Sequence, residues 1–123
     1  MKKVIMLLAV VGLTGCSTLY KIMPTKYDPV LGGNYIELQI EVDDLNCKEI
    51  NGQFDMAAID AKKLAEYSKF RNDPQLDNVV GIQSNLEKAS NAKSQAVCDN
   101  YLKLAKLRLK VVRQAWSGRF LWV

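Results

Sequence analysis

The groups in this chain able to do chemistry are few: thiols at Cys16, Cys47 and Cys98, scattered hydroxyls, and a run of acids between residues 37 and 49. There is no histidine, which removes the side chain most often used as a general base or metal ligand near neutral pH. Ser17, Ser68, Ser84, Ser90 and Ser94 therefore have no imidazole to activate them. Ser94-Gln95-Ala96-Val97 is not the Ser-x-x-Lys of a serine–lysine enzyme. Gly32-Gly33 lacks the further glycines and the strand-to-helix setting of a phosphate loop and reads as a flexible joint. Asp43, Asp44 and Glu49 read as ordinary helix-end acids rather than cation ligands, and two thiols alone make a poor metal cage. No catalytic residue, cofactor, metal or small-molecule substrate is expected. What the thiols offer instead is acylation or disulfide formation.

Cys16 is placed for the first of these. Met1-Lys2-Lys3 is a short positive segment, and residues 4–13 form an apolar run too short to span a bilayer as a permanent helix. The run ends in Leu13-Thr14-Gly15-Cys16, which resembles the lipobox of bacterial lipoprotein precursors. The resemblance covers the first 16 residues and implies a signal peptide over 1–15, removed by cleavage before Cys16. It also implies a diacylglyceryl group on the Cys16 sulfur and an acylated amine. Two or three acyl chains hold far more firmly than one. Ser17 after the acylated cysteine is, in that family, the pattern of proteins sent to the outer membrane, here on its periplasmic face.

Removing 15 of 123 residues leaves 108, with 15 basic against 13 acidic side chains once Lys2 and Lys3 are gone. The pI near 9 thus overstates the basicity of the mature chain, and no nucleic-acid partner is expected. In an exported protein the remaining two cysteines, Cys47 and Cys98, are expected to pair.

The elements that must position them read as all-α. Residues 16–34, with two prolines and Gly32-Gly33, have the composition of a lipidated tether. Two long arms follow, over residues 35–117, either side of a turn at 72–78 marked by Asn72-Asp73-Pro74. In the second arm Val79, Ile82, Leu86, Ala89 and Ala96 begin a stripe that Cys98, Leu102, Ala105, Leu109, Val112 and Trp116 continue at helical spacing. In the first, Phe54, Ala57, Ala61 and Leu64 do the same. Residues 36–45 carry two patterns. Ile36, Leu38, Ile40 and Val42 alternate like a strand, whereas Tyr35, Leu38, Val42 and Leu45 share a helical face. Helix is preferred, because a strand needs a partner and only 107–111 offers one, and Gly52 is a candidate break. The expected shape is an elongated antiparallel two-helix hairpin, coiled-coil-like and stapled by one disulfide. A short β pairing or helix break near 36–45 is the remaining alternative. Cys47 lies 26 residues before Asp73 and Cys98 lies 25 after it, so folding at the turn brings the two to one height. Acids at 37, 41, 43, 44 and 49 would then lie beside Lys103, Lys106, Arg108, Lys110 and Arg113.

Two features exceed a bland hairpin. Ile36, Ile40, Leu104, Leu107 and Val111 fall outside the seam, so either the arms meet through a wide face or a partner covers them. In the aromatic C-terminal tail, residues 118–123, Phe120 and Trp122 join Trp116 in suiting a membrane interface or a cap on the hairpin's open end. The hairpin reading puts this tail beside the anchor and Asn72-Asp73-Pro74 far from it. The functional expectation is a non-enzymatic, membrane-anchored scaffold or partner-binding lipoprotein that engages an envelope protein or itself. The alternative is a phage- or plasmid-encoded envelope lipoprotein, either an outer-membrane spanin subunit for lysis or an exclusion lipoprotein.

Overall fold

The structure, a computed structural model, describes residues 28–117. Its elements are four helices, α1 (Pro29–Asp43), α2 (Gly52–Phe70), α3 (Leu76–Ser90) and α4 (Gln95–Ser117), with no strand among the described residues. The expected signal peptide over 1–15, Cys16 and the tail with Phe120 and Trp122 lie outside the described residues, as does the expected tether up to residue 27.

Most of the helix boundaries fall at short polar residues. Asp28 accepts from the amide of Val30 at 2.9 Å and is followed by Pro29, a side-chain cap with proline at the first helical position. α1 therefore starts inside the segment read as tether and takes in Gly32 and Gly33. Asn51 caps α2 through the amide of Gln53 at 2.9 Å. α2 ends on Asn72, whose φ of 52° is left-handed. The amide of Asp73 then bonds the carbonyl of Ser68 at 2.8 Å and that of Asn72 the carbonyl of Lys69 at 3.1 Å, a Schellman closure. Asp73 next accepts from the amide of Gln75 at 2.8 Å, and α3 begins at Leu76, so the turn expected at 72–78 is shorter. α3 ends at Asn91, whose amide group donates to the carbonyl of Glu87. Ser94 receives the amide of Val97 on its hydroxyl and that of Cys98 on its carbonyl, which starts α4.

These breaks correct the two-helix hairpin. Each expected arm is itself folded in two, and the result is an up-down-up-down four-helix arrangement in which α2 packs on α3, α3 on α4, and α1 on both α2 and α4. The stripe does not run through residues 91–94, and Ala96, read as part of it, is exposed. Residues 36–43 are helical, with Leu38 and Val42 fully buried and Ile36 and Ile40 both 58% exposed. That split is what a helix requires and a strand forbids, since in a strand all four would share one face.

The core is otherwise the one the spacing describes. Leu38, Val42, Phe54, Leu64, Val79, Ile82, Leu86 and Val112 are sealed from solvent, with Leu31, Tyr35, Leu102, Leu109 and Trp116 around them. Cys47, in the α1–α2 loop, is bonded to Cys98 in the first turn of α4, with Cα atoms 5.7 Å apart. Closing this 51-residue separation stabilises the fold by about 4 kcal/mol on the chain-entropy account.

Candidate interaction surfaces

Both ends of the bundle are held by polar contacts. At the Cys47–Cys98 end, the Ser90 hydroxyl donates to Asp55 at 2.7 Å and ties α3 to α2. At the other end Asp28 accepts from the Tyr67 hydroxyl at 2.9 Å and faces Arg71 Nε at 3.4 Å. The bond to Asp28, reinforced by burial, raises the Tyr67 hydroxyl above its ordinary pKa. Beside it, Trp116 Nε1 donates to Asp73 Oδ1 at 3.1 Å, and the Trp116 ring meets Tyr35 edge-on with centroids 5.8 Å apart. Trp116 is thus buried at 6% exposure and does not present itself to a membrane. The same bond overturns the expected polarity. Asn72-Asp73-Pro74 lies beside the start of α1 and the end of α4, not at the far end of the molecule.

The expected pairing of acidic and basic arms is also absent. Among the described residues, the ion pairs are Lys63 with Asp60 and Arg71 with Asp28, and none joins the acids of 37–49 to the bases of 103–113. The reason is rotational. Glu41 turns towards α2, where Asp60, with Lys63 close by, is its neighbour. Burial first, and then a hydrogen bond with Asp60 and the charges of Asp60 and Glu37, push the Glu41 carboxyl from 4.5 up to about 7. Its Oε2 is buried with no hydrogen-bond donor in reach.

Three of these bases, Lys106, Lys110 and Arg113, face a groove between α1 and α4. Tyr35, Gln39 and Asp43 line one wall, and Lys106, Leu109, Lys110, Arg113, Gln114 and Ser117 the other, enclosing about 460 Å³. Tyr35 also bridges the two walls. Its hydroxyl donates to the Leu109 carbonyl at 2.8 Å, and burial raises its pKa while Arg113 pulls it down and Asp43 pushes it up. The helices bounding the groove also carry the surplus apolar side chains. Ile36 and Ile40 on α1, and Leu104, Leu107 and Val111 on α4, are 39–58% exposed. Helical geometry puts them outside the groove's rims, away from the core face. A second, shallower pocket between α3 and α4 is lined by Glu87, Lys88, Lys93, Val97 and Tyr101 among others, with Lys88 Nζ 5.7 Å from the centre of the Tyr101 ring.

Among the described residues no group of three or more acids and cysteines is placed to hold a metal, and no helix is long and apolar enough to cross a membrane. Sequence spacing found the surplus apolar residues and the cysteine pair. It missed the basic groove, although Lys106, Lys110 and Arg113 at i, i+4 and i+7 are the spacing of one helix face. No family model, curated protein or solved structure matches the chain.

Proposed function

We propose that this protein is a lipid-tethered binding module of the bacterial envelope, held on the periplasmic face of the outer membrane through Cys16, whose α1–α4 face takes up an envelope partner. The observation that carries the reading is the exposure of Ile36, Ile40, Leu104, Leu107 and Val111 on a bundle whose core is already filled. Exposed large apolar side chains also occur on α2 and α3, at Met56, Ile59, Phe70 and Val80, but the neighbouring helices α1 and α4 carry more of them, and such concentration on one side marks a contact surface. The partner is another envelope protein or a second copy of this chain. Of the two phage- or plasmid-type roles, receptor exclusion suits the molecule better than bridging to the inner membrane. Among the described residues the longest helix, of 23 residues, is only about 35 Å long.

Two measurements test this. A Cys16→Ala chain is expected to lose its place among outer-membrane lipoproteins on fractionation. A photo-reactive residue at position 40 or 107, in intact cells, is expected to give a discrete adduct that the same residue at position 63 does not. Adducts that are equal at all three positions would remove the α1–α4 face from the proposal.

A further inference from the structure

The groove between α1 and α4 has a charge pattern that the bundle itself does not use. Lys106, Lys110 and Arg113 lie on successive turns of one wall and span about 10 Å along the helix axis. Among the described residues none of the three is ion-paired, and the lining holds a single acid, Asp43. Three like charges at i, i+4 and i+7 repel one another by some tenths of a kcal/mol per pair, and the one acid across the groove, Asp43, forms no ion pair with any of them. The opposite wall and the upper end add Gln39, Gln114 and Ser117, which are neutral and able to hydrogen-bond. Tyr35 also lines the groove, but its hydroxyl is already held by the Leu109 carbonyl.

We infer that this groove binds a phosphate group, carried either by a small phosphate ester or by a lipid headgroup. Arg113 supplies a planar two-pronged donor, and Lys110 and Lys106 supply point charges beside it. A carboxylate is a weaker candidate, because three cations spread over two turns match a group carrying several acceptor oxygens better than one carrying two. The inference stands on the groove alone and does not depend on acylation of Cys16 or on the apolar stripes.

The test uses the full chain purified in neutral detergent and titrated with glycerol 3-phosphate, with glycerol as the control, while backbone amides are followed by NMR. Saturable shifts confined to residues 35–43 and 106–117 are expected with the phosphate and not with glycerol. A Lys110→Gln, Arg113→Gln double variant is expected to weaken binding about tenfold or more. Lys103→Gln, which removes a charge from α4 outside the groove, should leave it unchanged. In a second arm the chain sits in nanodiscs of phosphatidylcholine, whose phosphate is neutralised by its own choline cation, with or without phosphatidylglycerol, whose phosphate is not. Shifts at the same residues only with phosphatidylglycerol assign the phosphate to a lipid, and shifts only with glycerol 3-phosphate assign it to a soluble ester. No shift in either arm, or an equal loss in Lys103→Gln, overturns the site. A partner captured at positions 40 and 107 without phosphate binding would leave the proposed function standing and remove only this inference.

Discussion

Replacing Glu41 with glutamine should make the protein more stable at pH 8 and leave it unchanged near pH 4. Glu41 sits half-buried between α1 and α2 with Asp60 as its neighbour, Glu37 one turn away on α1 and Lys63 on α2. Two carboxylates can only accept hydrogen bonds, so the buried Oε2 of Glu41 has no donor unless a proton is present. The folded state therefore holds a proton, with Glu41 titrating at about 7 rather than 4.5. For a group raised on folding, the stabilisation is complete below the unfolded value and disappears as pH rises to the folded one, here between 4.5 and about 7. The full displacement would amount to about 3 kcal/mol. Partial solvent access and the charge of Lys63 reduce this to about 1–2 kcal/mol. A glutamine amide keeps a donor towards Asp60 at every pH and carries no charge to bury. Thermal melts followed by circular dichroism should thus place Glu41→Gln about 5–10 °C above the parent at pH 8, with the two curves meeting near pH 4. Asp60→Asn should move in the same direction. A gap that is constant with pH, or a glutamine variant that melts lower at pH 8, would refute the reasoning.

The other expectations concern the frame. Cys47→Ser is expected to cost about 4 kcal/mol in urea unfolding, and non-reducing mass spectrometry of the parent should find Cys47 and Cys98 joined. Leu38→Ala removes a side chain that is 0% exposed and should cost about 2–5 kcal/mol; a loss under about 1 kcal/mol would mean that α1 is not packed on the bundle. Trp116→Phe keeps a ring against Tyr35 but loses the N–H donated to Asp73, and is expected to cost about 1–2 kcal/mol, read as a lower urea midpoint.

Periodicity revealed the buried faces of all four helices but not where the helices stop. Ala89, Ala96 and Cys98 can be threaded onto one stripe, yet the chain breaks at 91–94 because Asn91 and Ser94 bond the backbone locally. A loop is invisible to the period when the apolar phase resumes after it. Asn51-Gly52 and Asp28-Pro29 are helix starts by the same chemistry. The second was obscured by Gly32-Gly33, whose low helix propensity a capped helix of 15 residues evidently tolerates. The cysteine pair was legible because equal limbs from a clear turn reach equal heights, and this survives the refolding of each arm, since Cys47 and Cys98 lie where both arms double back. The charged arms misled because one-dimensional matching of acids to bases ignores rotation: Glu41 faces α2, while Lys106, Lys110 and Arg113 face the groove.

That doubling back also reverses the orientation that anchoring would impose. In a hairpin, Asn72-Asp73-Pro74 would be the distal tip. In the bundle the Trp116–Asp73 and Arg71–Asp28 contacts bring the turn to the end where the chain enters from Cys16. Only the 11 residues from 17 to 27 separate that end from Cys16, the proposed acylation site, a reach of at most about 40 Å. The distal end is then the disulfide-linked one, closed by Cys47–Cys98 and Ser90–Asp55. Lys110 and Arg113 lie in the half of α4 nearer the entry point. On a tethered molecule the side groove, rather than the turn, is therefore within reach of both lipid headgroups and a periplasmic partner. It is the surface on which loss-of-function substitutions should cluster.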